Sequence, residues 1–284
     1  MSIGPSERIL EPLDLTDGFQ VRRLRRVDPP AEALARSSGV HGVYVTNALA
    51  AGQAAGLLFE RRGSAAVVAW FGPRGNLVLV CSSDVAGYED QVADHVLQSS
   101  LTWRIALGDG ALVDALRRRG KRSVLTHRKQ IYYAGSAGHA ASEWIREDLR
   151  VPSAGDRERL ARATLALNAA DLNIAPDRVD RRWLYNTIDD RIRERTTRVF
   201  GAVGALESKV DFGSAGPGGI VLEGVYTFPE SRGKGLGASI VATCMAESDV
   251  ETSLHVAEDN YPARRAYERA GMRQVGDCKL LLLG

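Results

Sequence analysis

The 284-residue chain has little cysteine, almost no net charge and no long apolar run. Its three cysteines, Cys81, Cys244 and Cys278, are widely spaced and form no CxxC pair, so neither a disulfide framework nor a metal site is expected. A net charge of +2 gives no reason to expect a nucleic acid or a membrane surface as partner. No stretch approaches the roughly 20 apolar residues that cross a bilayer, and the start has no apolar signal core. We therefore expect a cytoplasmic protein.

Residues 1 to about 36 are polar, and their basic run at 22–26 reads as solvated surface. After this segment, most of the chain alternates short apolar runs with turn signals. A hydrophobic content of 44% and a charged content of 25% are typical of soluble globular proteins. The first half is predicted to contain three antiparallel strands from residue 56, helices at 86–99 and 109–119, and strands at 102–107 and 124–134. The second half is predicted to contain helices at 157–169, 180–195, from 234 and at 261–270, and strands at 198–203, 205–213, 220–227, 251–256, 272–275 and 279–283.

The same order of elements thus occurs twice, with similar spacing except for a short insertion at a glycine-rich loop in the second half. We predict an α/β fold with a mixed sheet, built as a tandem of two similar domains at 1–145 and 146–284. Each would be a central, mostly antiparallel sheet flanked by helices. The segment 135–155 reads as the linker, and the first domain, with CSSDVAGYED in place of the loop, reads as a degenerate copy.

The glycine-rich loop lies in the stretch IVLEGVYTFPESRGKGLGA, which runs from Ile220 to Ala238. An apolar strand is stopped by Pro229, and a glycine-rich turn then leads directly into a helix-like run. Glycines let the main chain approach a ligand, and the first N–H groups of a helix suit a phosphate or pyrophosphate. Arg232 and Lys234 would add positive charge at the rim of this anion site.

Two familiar phosphate loops compete for this stretch. A Walker loop fails because Phe228 stands where its first glycine is needed. The dinucleotide fingerprint G-x-G-x-x-A is satisfied from Gly233 to Ala238. Glu258 follows about 20 residues later, where proteins with this fingerprint have an acidic residue that binds the ribose. Four residues, however, separate the first glycine of the fingerprint from Phe228 and the preceding strand.

A third interpretation is supported by two motifs together. The first resembles the acyl-CoA pyrophosphate loop of the GNAT (Gcn5-related) acetyltransferases and comprises Thr227, Pro229, Arg232, Gly233, Gly235 and Gly237. The second resembles the family's downstream motif and comprises Asn260, Ala263, Tyr267, Gly271 and Met272, with Met where Phe is usual. Both motifs occur in the family's order, separated by a predicted helix and strand.

What the resemblance implies is direct transfer of an acetyl group from acetyl-CoA to a primary amine in a ternary complex. The main chain of Val225, Tyr226 and Thr227 would hold the pantetheine arm, which Asn260 would contact through its side chain. Tyr267 would protonate the leaving thiolate, because a phenol with a pKa of about 10 is protonated at neutral pH. The pyrophosphate would lie on the loop residues Arg232, Gly233, Lys234, Gly235, Leu236, Gly237 and Ala238.

The general base is predicted to be Glu223. Strict alternation along the strand would place its side chain on one face with Val225 and Thr227, where it could reach the amine. A carboxylate in an otherwise apolar strand is costly unless it has a partner, which singles out this residue. Asp211 on the neighbouring strand is the second candidate, with a structural or exposed role favoured, and His255 reads as a satisfied sheet histidine.

Three functions stay open from the sequence alone. The chain can be an N-acetyltransferase acting on an amine-bearing small molecule or peptide, a non-catalytic acyl-CoA-binding or sensing module, or a dinucleotide-dependent oxidoreductase that uses Glu258. A sensing module would need neither Tyr267 nor Glu223, so the presence of both favours the enzyme. The sequence does not indicate whether the degenerate domain closes the acceptor cleft, mediates homodimerisation or binds a second ligand.

Overall fold

The computed structural model describes residues 13–14 and 18–284, and the chain divides into two compact units, residues 1–121 and 122–284. Most of the predicted strand and helix order is confirmed within both units. Among the described residues, no helix is both long enough and apolar enough to cross a membrane. The same residues contain no group of three or more His, Cys, Asp or Glu side chains arranged to hold a metal ion.

In its described residues, the first unit is a sheet in the order β1-β2-β3-β4-β5-β6 with four α-helices. All strand pairs are antiparallel except β5 with β6, which are parallel and joined through a helix. The elements are β1 (Leu13–Asp14), β2 (Phe19–Arg23), α1 (Pro29–Ser37), α2 (Val40–Ala50), β3 (Gly56–Arg61), β4 (Ser64–Phe71), β5 (Asn76–Cys81), α3 (Glu89–Gln98), β6 (Ile105–Gly108) and α4 (Gly110–Arg119).

The second unit has a sheet in the order β12-β7-β11-β10-β9-β8, again antiparallel except for one pair, β10 with β11. The elements are β7 (Val124–Gly135), α5 (Arg157–Leu172), α6 (Arg181–Arg193), β8 (Thr197–Ala202), β9 (Ala205–Gly216), β10 (Gly219–Thr227), α7 (Leu236–Ala246), β11 (Thr252–Ala257), α8 (Tyr261–Arg269) and β12 (Arg273–Leu283).

Two hydrophobic clusters form the core of the second unit. One contains most of the apolar residues of α7 with Leu222, Leu254 and Tyr267, and the other joins α5 and α6 to β8, β9 and Phe228. Helix α7 is apolar on nearly all sides, as expected of a helix buried in a core. The sheet therefore separates an α7/α8 side from an α5/α6 side.

Two expectations need correction. The predicted strands at 272–275 and 279–283 are one strand, β12, with a register shift between Gln274 and Gly276 that interrupts the apolar pattern. Residues 18–36 contain β2 and most of α1. The other three arginines of the basic run are exposed as predicted, whereas Arg22 is half-buried and pairs with Asp28 and Glu60. The part of that polar segment before residue 18 lies outside the described residues, apart from β1.

Strand β7 explains why compact units and sequence repeats divide at different places. It ends the first series of elements along the chain, yet it pairs with both β11 and β12 in the second unit. The units therefore separate after Lys121. The predicted boundary between residues 145 and 146 divides the sequence repeat and stays a prediction.

The predicted linker contains short helical turns, at Ala137–His139 and Ser142–Trp144, that pack on the second unit. The backbone N–H of Arg146, just beyond them, donates to Thr243 Oγ1 on α7 at 3.0 Å. The Trp144 ring lies so close to Gly235 that no side chain fits at that position. The segment is therefore part of the fold around the glycine-rich loop.

Candidate functional site

The most irregular part of the second sheet is a β-bulge in β10. Glu223 pairs with Asp211 of β9 and Tyr226 pairs with Lys209, so two residues of β10 face one residue of β9. Gly224 in the bulge has a φ of 54°, a conformation that favours glycine. The bulge reverses the alternation: Leu222 and Val225 both pack on the α7 cluster, whereas Tyr226 packs on the α5/α6 cluster.

This bulge overturns the argument that Glu223 shares a face with Val225 and Thr227. Alternation holds only in a regular strand, and the extra residue shifts every side chain beyond it to the opposite face. The Glu223 side chain lies against Gly213 of β9 and is partly buried. Val225 and Glu223 are therefore on different sides of the sheet.

A second irregularity follows on the other edge of β10. Its parallel pairing with β11 covers only Ile220–Leu222 against Thr252–Leu254, although both strands continue beyond these residues. Main-chain groups of β10 from Glu223 onward thus face a gap between two diverging strands. Such a gap can accept an extended ligand through strand-like hydrogen bonds.

The glycine-rich loop comes directly after this gap. A short turn at Pro229–Ser231 leads to Gly233 and Gly235, whose φ values are 80° and 77°, and α7 begins at Leu236. The space beside Gly233 is open. The Arg232 guanidinium is exposed, donates to the carbonyl oxygen of Thr227 at 3.3 Å and lies 5.9 Å from the centre of the Tyr226 ring.

The start of α7 can bind an anion through its main chain. The first N–H groups of any helix have no acceptor within the helix, and the helix dipole favours negative charge there. The side chain of Lys234 is exposed beside this helix start. Leu236 and Ala238 are buried, and the Ala238 N–H already donates to the Gly235 carbonyl at 2.9 Å. Of the predicted loop residues, Ala238 is thus the least open to a ligand.

The second sequence motif forms the start and the buried face of α8. Asn260 caps this helix by accepting the Ala263 N–H at 3.3 Å. Tyr267 is buried in the α7/α8 cluster, and its ring centre lies 6.0 Å from that of Tyr133. Within the described residues its hydroxyl makes no hydrogen bond. Burial, with a smaller contribution from Asp171, raises the Tyr267 pKa above its ordinary value, so the phenol stays protonated at neutral pH.

Asp211, the second candidate base, is held in a buried charge cluster. Its carboxylate accepts hydrogen bonds from Lys209 and Arg191, and from Thr197 Oγ1 at 2.7 Å. Burial alone would raise the Asp211 pKa, but the two cations outweigh burial and hold the pKa below its ordinary value. Asp211 is therefore a paired structural carboxylate, as favoured above.

Two charged residues that the sequence did not single out, Asp171 and Arg128, lie near His255. Asp171 at the end of α5 pairs with Arg128 of β7 at 3.6 Å, and burial raises the Asp171 pKa. Burial also lowers the His255 pKa despite the opposing fields of Glu223 and Asp171, so its imidazole is neutral. His255 Nδ1 lies 3.5 Å from Gln130 Oε1. The sequence around Asp171, LNAADLN at residues 167–173, has no motif or spacing that would identify this residue.

Residues 170–272 match the model of the Acetyltransferase (GNAT) family. This stretch belongs to the GNAT family. It contains the β10 bulge, the glycine-rich loop, α7 and α8, so the predicted resemblance is confirmed. Among curated proteins no sequence match to the chain was found.

Solved structures extend the likeness beyond the GNAT stretch. An acetyltransferase of the GNAT family from Colwellia psychrerythraea is 13% identical, with a TM-score of 0.52 over 93% of this chain and 99% of the other. A Gcn5-related N-acetyltransferase from Sphaerobacter thermophilus is 16% identical, with a TM-score of 0.54 over 94% of this chain and 96% of the other. At these identities the comparisons show a GNAT fold, and the predicted fold class is confirmed.

Proposed function

We propose that the second unit is an acetyl-CoA-dependent N-acetyltransferase that acts on a primary amine. The observation that carries this proposal is the divergence of β10 from β11 after Leu222, next to the glycine-rich loop and the start of α7. The divergence offers a slot for the pantetheine arm, and the helix start offers an anion site at its end. Both lie within the stretch that matches the GNAT family.

Each predicted site residue then has a distinct task. The main chain of Val225, Tyr226 and Thr227 binds the pantetheine arm and polarises the thioester carbonyl. The loop from Arg232 to Ala238 binds the pyrophosphate, and Asn260 contacts the arm. Preorganised main-chain donors of this kind stabilise the charge that develops on a carbonyl oxygen.

The transfer step needs one base and one acid. Glu223, although on the opposite side of the sheet from Val225, takes a proton from the amine directly or through a water, and the amine nitrogen attacks the thioester carbon and forms the new C–N bond. The C–S bond then breaks, and Tyr267 gives its proton to the departing thiolate sulfur. The products are an acetamide and free CoA. Tyr267 suits the acid role because its hydroxyl is protonated and makes no hydrogen bond in the described part of the chain.

The dinucleotide alternative has less support. It would require Glu258 to bind a ribose, whereas this exposed carboxylate pairs with Lys129 at 3.0 Å. The turn at Pro229–Ser231 also separates the first glycine from β10, unlike a fingerprint in which the glycine follows the strand.

The test is release of free CoA thiol from acetyl-CoA in the presence of a panel of primary amines, with acetylated products identified by mass spectrometry. Wild-type protein should release thiol with at least one amine, and Glu223→Gln should slow this release by about 100-fold, within the range for loss of a general base. Glu258→Gln is the matched control and should leave the rate unchanged. Acetyl-CoA binding without release over the whole panel would favour the sensing module. Binding of NAD(H) in its place would contradict the proposal.

The cytoplasmic location stays a prediction from cysteine usage.

A further inference from the structure

A buried group of charges lies beside the candidate site and has no task in the transfer step above. Lys209 and Asp211 are neighbours on one face of β9, with side chains only 2% and 4% exposed. Arg191 of α6 reaches the same carboxylate and is 19% exposed. Thr197 of β8 donates the remaining hydrogen bond to Asp211. We refer to Lys209, Asp211 and Arg191 as the charge cluster.

The charge cluster lies directly against the β10 bulge. A Cβ placed on Gly224 would lie 3.0 Å from Asp211 Oδ2 and 3.0 Å from Lys209 Nζ. The same atom would lie 3.5 Å from Leu167 Cδ1 of α5. The main chain at Gly224 therefore packs against both the ion pair and an apolar side chain, which leave no free space for a side chain there.

Simple stabilisation is a poor explanation for charges buried this deeply. Removing two charges from water costs about as much as their attraction returns, so well-packed apolar residues are often at least as stabilising. Burial lowers the Lys209 pKa, and the field of Asp211 offsets this only in part. What the cluster provides beyond energy is direction, because the hydrogen bonds of Lys209, Arg191 and Thr197 fix the carboxylate in one orientation.

We propose that the charge cluster is a positioning device: Lys209, Asp211 and Arg191 set the main chain at Gly224 and Val225, and thereby the donors that polarise the thioester carbonyl. The inference rests on the proposed function. It assigns these residues to the acyl group and not to the pyrophosphate, since the glycine-rich loop lies beyond Thr227 at the far end of the strand.

The experiment uses acetyl-CoA labelled with ¹³C at the carbonyl carbon and measures its infrared carbonyl stretch free and bound. Hydrogen bonds to the carbonyl oxygen should lower the frequency on binding to the wild-type chain. The variant Lys209→Met, Asp211→Leu, Arg191→Met replaces the cluster by apolar side chains of similar size, which should preserve folding. It should lose about half or more of the frequency shift, while the Kd for acetyl-CoA changes by less than about threefold.

The matched control replaces an exposed ion pair between α5 and α6, the helix that also contributes Arg191 to the charge cluster. Arg157→Met, Asp189→Leu removes a contact of 2.7 Å between α5 and α6 and should leave the frequency shift unchanged. Gly224→Ala changes the bulge and leaves the charge cluster intact. It keeps all charges but forces a Cβ against Lys209 and Asp211. It should reduce the shift in the same way, and it supplies the test if the triple variant does not fold.

The outcomes separate the inference from the function on which it rests. A full frequency shift in both the triple variant and Gly224→Ala, with acetyl-CoA bound, would overturn the positioning role and leave the proposed function intact. Absence of acetyl-CoA binding to the wild-type chain would overturn both. An equal loss of shift in the Arg157/Asp189 control would show a general effect of α5–α6 packing and would also overturn the inference.

Discussion

The two units share a scaffold and differ where a ligand would bind. In the first, Arg22 pairs with Asp28 at 2.7 Å, and the Asp28 carboxylate accepts the Arg25 N–H just before α1. In the second, Arg150 pairs with Asp156 at 2.8 Å, and Asp156 accepts the Ser153 N–H just before α5. Both aspartates are buried and both arginines stand six residues earlier. The same local device therefore anchors the first helix of each unit.

The strands that correspond to each other show the difference. β5 pairs with β4 in unbroken register from Val67–Cys81 to Phe71–Leu77, whereas β10 contains the bulge. Helix α3 then begins with Glu89 and Asp90, whereas the first turn of α7, which follows Gly235, contains no acidic residue. Acidic side chains in a first turn repel an anion that the helix start would otherwise bind.

The helices that follow the parallel strands, α4 in the first unit and α8 in the second, differ at one position that matters for chemistry. Asp109 caps α4 as Asn260 caps α8, and a glycine stands eleven residues after each cap. Seven residues after each cap the first unit has the buried Leu116 and the second has Tyr267. The first unit thus keeps the packing and has no proton donor there. We expect one acyl-CoA site per chain, in the second unit.

The largest effect is expected from removing the phenol that distinguishes α8 from α4. Tyr267→Phe should lower the transfer rate by about 100-fold or more, because loss of a general acid typically costs that much. Acetyl-CoA binding should change little, since only a hydroxyl is removed. The rate is measured as thiol release at saturating acetyl-CoA, in samples quenched at set times.

Tyr133→Phe is the matched control, because Tyr133 lies beside Tyr267 but its hydroxyl donates to Glu268 at 2.8 Å. It should leave the rate within about twofold. Equal losses in the two variants would remove Tyr267 from the mechanism. Because its pKa is raised, deprotonation of Tyr267 should not reduce the rate below about pH 10.

The next effect compares two glycines of similar backbone conformation, one shortly before α7 and one shortly before α3. Gly233 and Gly87 have φ values of 80° and 87°, and both have open space beside them, so aspartate should strain the two sites alike. Gly233→Asp should weaken acetyl-CoA binding by about tenfold or more through repulsion of the pyrophosphate. Gly87→Asp should leave it unchanged. Calorimetric titration measures both, and similar affinities would argue against the glycine-rich loop as the anion site.

The smallest effect tests the shared scaffold. Hydrogen bonds from Arg150, Ser153 and Gly204 outweigh burial and lower the Asp156 pKa from 3.8 to about 2. This shift contributes about 2 kcal/mol to the free energy of unfolding, present above about pH 4 and lost as pH falls through about 2. Asp156→Asn should remove a similar amount at pH 7 and flatten the acid dependence, as measured by calorimetric unfolding from pH 7 to pH 2.

Asp28→Asn is the counterpart in the first unit, where the Asp28 pKa is also lowered by Arg22 against the effect of burial. It should destabilise that unit and leave acetyl-CoA affinity unchanged. Asp156 has an additional donor, the Gly204 N–H at 2.9 Å, so its loss should cost more. A larger effect at Asp28 would mean that the two pairs do not serve the same role.

The sequence predicted most elements, both site motifs and the duplicated order, because apolar periodicity and glycine spacing are local properties. It did not predict the β10 bulge, since the extra residue is recognised only by its register against β9. Strict alternation then placed Glu223 beside Val225, on the wrong face. Arg22 looked solvated because its partner Asp28 comes six residues later and becomes buried only when α1 packs. The sequence also did not predict that β7 belongs to the second sheet, because its pairing with β11 and β12 joins residues far apart in the chain.

The most direct test of the central claim is the number of acetyl-CoA molecules bound per chain, measured by calorimetric titration of the wild-type protein and of Gly233→Asp. We expect one site per chain with wild-type protein, a strong loss of affinity in the variant, and no heat of binding with NAD(H). Two equivalent sites would show that the first unit also binds acyl-CoA. Binding of NAD(H) without acetyl-CoA would contradict the assignment of the glycine-rich loop.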